Sequence, residues 1–162
     1  MKQSVYIETS VVSYLTARPS RDVRAAAWQQ ITTQWWEEDR TSYDLFVSEL
    51  VVTESSSGNL EAAAKRLEIL EQIPKLLIDG QVQGLAMQLI FEKGVPATAE
   101  ADALHIAVAA VQNIDFLLTW NFRHIDNAAT KPLIRSICAA AGFVCPEICT
   151  PIELIANSED DV

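Results

Sequence analysis

The spacing of apolar positions changes period several times along the chain, and each change marks an element. Val5-Tyr6-Ile7 is short, continuous, apolar and β-prone, and predicts a buried strand. Thr9 or Ser10 can cap a helix over residues 11–15, which Pro19 interrupts. Val23, Ala26, Ala27, Ile31 and Trp35 recur at helical spacing and predict a second helix over 22–36.

Tyr43-Asp44-Leu45-Phe46-Val47 predicts a second strand, with Ser48 capping a helix through Val51, Val52 and Glu54. After the turn Ser55-Ser56-Ser57-Gly58, Asn59 opens a helix over 60–73. Lys75-Leu76-Leu77-Ile78 predicts a third strand, and 81–92 another helix. Gly94-Val95-Pro96 reads as a loop, Thr98 as the start of a helix carrying 101–111, and Asp115-Phe116-Leu117-Leu118-Thr119 as a fourth strand. A helix follows Lys131-Pro132 and ends near Gly142; Phe143-Val144 is a candidate edge strand, and Thr150-Pro151-Ile152-Glu153 has the form of a capping box.

Strands alternating with helices predict a three-layer α/β/α domain with a parallel sheet of four or five strands. Its 162 residues suit one domain, expected over 1–156 with 157–162 as an acidic disordered tail. Half the residues are hydrophobic, enough for a core without disulfides or structural metal. Three cysteines, Cys138, Cys145 and Cys149, form no disulfide framework and suit reduced thiols. Met1-Lys2-Gln3-Ser4 runs straight into the first strand without a signal-like apolar stretch, and no apolar run is long enough to span a bilayer, so a cytoplasmic protein with no membrane partner is expected.

The net charge of −10 disfavours bulk electrostatic binding of nucleic acid. A local site must therefore carry any such chemistry. Ligands of open α/β sheets gather at the carboxyl ends of strands, and several polar residues are expected there: Glu8 after the first strand, Ser48 and then Glu54 after the second, and Thr119, Trp120 and Asn121 after the fourth. Asp102 lies early in the helix that leads into that strand. Carboxylates and amide oxygens suit hard divalent ions, which phosphodiester hydrolysis uses to activate water and to stabilise charge on the attacking and leaving oxygens. A glycine-rich phosphate loop, the mark of a flavodoxin-like nucleotide binder, is missing after the first strand.

Four segments resemble the motifs of the PIN-domain family in order. They are Tyr6-Ile7-Glu8-Thr9-Ser10, the stretch from Ser48 to Glu54, Glu100-Ala101-Asp102-Ala103-Leu104-His105-Ile106-Ala107, and Leu117-Leu118-Thr119-Trp120-Asn121. The resemblance implies an Mg²⁺- or Mn²⁺-dependent ribonuclease, the toxin of a VapC-type pair with a small antitoxin protein, and a homodimer. It implies Glu8, Glu54, Asp102 and Asn121 as catalytic metal ligands, supported by Ser10 and Thr119. Glu8 stands where Asp is commoner in the family, and Asn121 brings an oxygen without a charge. The alternative is a catalytically weak PIN scaffold that binds RNA or a partner protein.

Arg18, Arg21 and Arg24, with Arg123 after the fourth motif, are the candidate RNA contacts, against a solvated helix face. His105, one helical turn after Asp102, reads as a satisfied, partly buried histidine rather than a general base. Trp28, Trp35 and Trp36 read as core or interface, and Asp115 and Asp126 as solvated loop acids.

Overall fold

The computed structural model describes residues 1–156, so the expected acidic tail at 157–162 lies outside the described residues. Five strands form one parallel sheet: β1 (Ser4–Ile7), β2 (Asp44–Ser48), β3 (Lys75–Leu76), β4 (Phe116–Leu118) and β5 (Glu147–Cys149), in the order β3-β2-β1-β4-β5. β1 is central. Val5, Tyr6 and Ile7 pair with Phe116, Leu117 and Leu118, while Ser4, Val5 and Tyr6 pair with Asp44, Leu45 and Phe46.

Among the described residues seven α-helices cover the sheet: α1 (Thr9–Thr16), α2 (Val23–Gln34), α3 (Glu49–Ser55), α4 (Leu60–Leu70), α5 (Gly80–Phe91), α6 (Glu100–Val111) and α7 (Lys131–Ala140). They pack in two groups, α1 with α2, α3 and α4, and α5 with α6 and α7. This division is the expected three-layer arrangement, since parallel strands need crossovers that place helices on both faces. Val5, Tyr6, Ile7, Leu117 and Leu118 fill the middle of the core with the inward residues of α6, Ala103, Ile106, Ala107 and Val108. Among the described residues, no helix is long and apolar enough to cross a membrane.

The expected caps Ser48 and Asn59 are present, their side chains accepting from backbone N–H groups of α3 and α4, and Asp22 and Asp79 cap α2 and α5 in the same way. The Thr150–Glu153 capping box forms as well, at the head of a short 3₁₀ turn.

Other expectations fail for identifiable reasons. Glu8, not Thr9 or Ser10, caps α1, because its carboxylate reaches the Ser10 N–H. α2 does not run to Trp36; it widens into a π turn at Trp35–Asp39, which buries Trp35. The last strand is Glu147–Cys149 rather than Phe143-Val144. Gly142, at φ +88°, turns the chain after α7, and Val144 stays exposed.

The two loop acids, Asp115 and Asp126, have structural partners. Asp115 accepts from both the N–H and the hydroxyl of Ser4 (2.8 and 3.0 Å), and so ties β1 to β4. Asp126 is paired with Lys131 at 2.6 Å, at the head of α7. Neither is a free loop acid. The three cysteines are free thiols, as expected.

Candidate active site

The chain moves from β1 to β2 and β3 on one side, then returns to β4 on the other side of β1. Strand order therefore reverses at the β1/β4 pair, and the carboxyl ends of these strands open a crevice there. Glu8 enters it directly from β1. Its N–H continues the ladder to the Leu118 carbonyl (3.1 Å), and its side chain turns inward. Only 4% of Glu8 is exposed. One carboxylate oxygen accepts from the Ser10 N–H at 2.5 Å, and the other from the Thr119 hydroxyl at 3.3 Å.

Burial raises the pKa of Glu8, more strongly than the nearby His105 and the bonds from Ser10 lower it, and the charge of Glu54 raises it further. Glu54 approaches this segment closely, because Thr9, the residue after Glu8, donates to it at 2.6 Å.

Glu54 projects from the last turn of α3. Its Oε1 accepts from the Thr9 hydroxyl (2.6 Å) and from His105 Nε2 (2.7 Å). Burial opposes ionisation of Glu54, but the hydrogen bond and charge of His105, with the Thr9 hydroxyl, outweigh it and hold its pKa below the ordinary carboxylate range.

His105 is 1% exposed and satisfied on both nitrogens, in keeping with the sequence reading. One of its partners, however, is a site carboxylate. Its other nitrogen meets the Tyr6 hydroxyl at 2.7 Å, which in turn meets Ser48 Oγ at 2.8 Å.

Asp102 sits in the first turn of α6, where a carboxylate interacts favourably with the helix dipole. Its Oδ2 is 2.9 Å from His124 Nδ1. Sequence reasoning missed His124. The two residues lie 22 positions apart, and the only local sign is that His124 follows Asn121 by three residues in a turn.

That turn explains Asn121. Its Oδ1 accepts from the N–H groups of Arg123 (3.1 Å) and His124 (3.0 Å), and its own N–H donates to the Thr119 hydroxyl (2.9 Å). A carboxamide oxygen has two lone pairs, and both are used. Asn121 caps the turn here, and to serve as a metal ligand it would have to give up these bonds.

Ser10 and Thr119, the two expected supporting residues, both contact Glu8, Ser10 by its N–H and Thr119 by its hydroxyl. Ser10 Oγ accepts from the Trp120 N–H (2.8 Å) and approaches Thr119 Oγ1 at 3.5 Å. These bonds lock the head of α1 to the segment after β4. Trp120 braces the same segment: its indole stacks on Trp28 (centroids 5.3 Å apart, planes 15°) and donates to Thr32 Oγ1 at 2.8 Å.

The four expected ligands therefore do not form one cluster. Glu8 and Glu54 are neighbours, Asp102 is held by His124, and Asn121 caps a turn. Among the described residues, no three His, Cys, Asp or Glu side chains are grouped so as to hold a metal ion. The donor chemistry still suits a hard cation, because the buried carboxylate of Glu8 and the half-buried one of Glu54 lie on either side of Thr9.

The basic residues also divide. Arg123 is exposed on the Asn121 turn, beside His124. Arg18 lies beyond the far end of α1, about 12 Å of helix from Glu8 at 1.5 Å per residue. There it makes a loose 3.9 Å pair with Glu61 in open solvent, and Arg21 and Arg24 are exposed further along. Arg123 alone of the four shares a segment with the site.

A family model described as PIN domain matches residues 5–131. No curated protein sequence matches the chain significantly. Solved structures that share the fold include two VapC-type proteins. One is VapC20 of Mycobacterium tuberculosis, described as a Sarcin-Ricin loop cleaving toxin, with a TM-score of 0.57 and 15% identity over 86% of this chain and 96% of that one. The other is VapBC2 of Rickettsia felis bound to a DNA fragment from their promoter, with a TM-score of 0.55 and 13% identity over 91% and 98%.

Proposed function

Because the chain belongs to the PIN-domain family, we propose that it is a divalent-metal-dependent endoribonuclease, the toxin of a VapC-type pair held in check by a small antitoxin protein. The observation that carries this reading is the Glu8–Glu54 pair at the switch point of the sheet, two carboxylates whose repulsion a cation would relieve. The similarity in fold to a Sarcin-Ricin loop cleaving toxin and to a VapBC pair supports the RNA substrate and the antitoxin. A homodimer and a cytoplasmic setting belong to the same reading.

Glu8 and Glu54 would hold Mg²⁺ or Mn²⁺, with Asp102 as the third carboxylate. When bound, the ion would draw the phosphodiester to an acidic surface and supply Lewis-acid chemistry at phosphorus. The protein's own groups do the rest. Thr9 and His105 orient Glu54; Ser10 and Thr119 orient Glu8. His124 holds Asp102 by a hydrogen bond, and Arg123, exposed on the same turn, would meet a phosphate of the RNA backbone.

One observation favours the alternative, a PIN scaffold that binds RNA or protein with little catalysis. Asp102 is paired with His124, and Glu8 and Glu54 are the only two expected ligands brought together.

Cleavage of a generic single-stranded RNA decides between the two. The nuclease reading expects cleavage with Mn²⁺, none with EDTA, and none from Asp102→Asn folded to the wild-type level. Intact RNA in millimolar Mn²⁺, or cleavage indifferent to EDTA and to Asp102→Asn, would overturn it.

A further inference from the structure

We propose that Tyr6 and His105 form a positioning relay that fixes the Glu54 carboxylate and leaves one of its oxygens free to face the site. The proposal rests on the reading of Glu54 as a site carboxylate.

The chain of contacts is continuous and its direction is constrained. Val51 N–H donates to Ser48 Oγ (3.4 Å), Ser48 Oγ meets Tyr6 OH (2.8 Å), Tyr6 OH meets His105 Nδ1 (2.7 Å), and His105 Nε2 meets Glu54 Oε1 (2.7 Å). A carboxylate only accepts, so Nε2 carries a proton and donates. Tyr6 and Ser48 are fully buried and His105 nearly so, and each finds its partners within the chain.

The relay spans three elements. Tyr6 belongs to the central strand, Ser48 to the end of β2 and His105 to α6, and all converge on a carboxylate at the end of α3. The Thr9 hydroxyl reaches the same Oε1 at 2.6 Å. Oε1 is thereby doubly bonded, while no described residue donates to Oε2.

Burial requires the His105 Nε2–H to find an acceptor, but not that this acceptor be a site carboxylate. Glu54 is one-third exposed along its side chain, so water could solvate its carboxylate without help. What His105 adds is orientation: the rotamer of Glu54 is fixed from the protein side, and Oε2 becomes the oxygen presented outward. Partners behind a metal-binding side chain change metal affinity by about 10–100-fold when removed. An effect of that size on Mn²⁺ binding is expected here, with little effect on the KM for RNA.

The test joins nuclear magnetic resonance on the metal-free protein to Mn²⁺ titration calorimetry. In wild type, a solvent-protected His105 Nε2–H resonance is expected, and Tyr6→Phe should shift it although Tyr6 does not touch that nitrogen. Tyr6→Phe and His105→Leu should weaken Mn²⁺ binding about tenfold and lower kcat at unchanged KM. His105→Gln, whose amide can still donate to Glu54, should recover most of the affinity. A Tyr6→Phe protein with wild-type resonance and wild-type Mn²⁺ affinity would overturn the relay, as would a folded His105→Leu protein with wild-type affinity and kcat. If Glu54→Gln also leaves Mn²⁺ binding untouched, the site reading fails instead, and the resonance alone decides the relay.

Discussion

Replacing Asn121 separates a turn cap from a metal ligand. In Asn121→Ala, the N–H groups of Arg123 and His124 lose their shared acceptor. The Arg123 N–H lies at the surface, where water replaces the lost bond at little cost. The His124 N–H is partly buried, and its loss weighs nearly in full. Loss of an Asn cap costs roughly 0.5–2 kcal/mol, and a lost hydrogen bond with partial desolvation is of similar size. The expected destabilisation is about 1–1.5 kcal/mol, or about 3–5 °C in a domain of this length. The turn would loosen around His124 and release its hold on Asp102, so cleavage should also fall. Asn121→Asp keeps the accepting oxygen and should restore most of the stability. Urea unfolding in EDTA, where no metal contributes, measures the cap alone, and calorimetry with Mn²⁺ measures the ligand. If Asn121→Ala is as stable as wild type in EDTA while its Mn²⁺ affinity collapses, the cap argument is refuted and Asn121 is a ligand after all.

Two further outcomes follow from the same contacts. The pKa of Glu8 is raised in the fold, so the unfolded chain gives up this proton first, and native stability falls as pH climbs above the ordinary carboxylate value toward the folded one. Glu8→Gln lacks the charge; in EDTA it should gain on wild type across that window and then level off, and a gap that does not change with pH would refute the burial argument. Trp120→Phe loses the bond to Thr32 and part of the stack on Trp28, for about 2 kcal/mol, and thermal melting showing no loss would mean that Trp120 does not brace the segment after β4.

Much of the fold was legible because its signals are local. Buried parallel strands leave continuous apolar runs such as Val5-Tyr6-Ile7, and Asp22, Ser48 and Asn59 mark helix starts by side chains that reach only two or three residues ahead. The misplaced last strand shows the limit. Val144 is as β-prone as Ile148, and only pairing with β4 decides which is used. The site was legible in part for the same reason. Glu8 follows its strand directly, whereas the partners of Glu54 and Asp102 come from 51 and 22 residues away. Tertiary packing alone turns His105 and His124 into neighbours of carboxylates. Asn121 was ambiguous by chemistry: an amide oxygen after a strand serves a cation or two N–H groups equally well, and only the backbone path chooses.

The Glu8 position can now be weighed on contacts. Glutamate is longer than aspartate by one methylene, about 1 Å or slightly more of reach. That reach is used: one oxygen closes on the N–H of Ser10, two residues on, while the other spans to Thr119 on the neighbouring strand's end. A side chain that bridges the head of α1 and the end of β4 is fitted to its surroundings. Decay from a shorter ancestral acid would leave a side chain with fewer fixed partners than this. The hydroxyls of Ser10 and Thr119 do not decide the matter by themselves, since each also serves a backbone N–H, Trp120 and Asn121 respectively, and would be retained for the fold alone. The burial of Glu8 beside Glu54 argues differently. Burying Glu8 costs folding free energy, which the charge of Glu54 adds to, whereas His105 and Thr9 favour the charged form of the one-third exposed Glu54. Under the proposed function a cation held by the two acids would offset that cost, which is why the paired acids carry the functional reading more than the four motifs do.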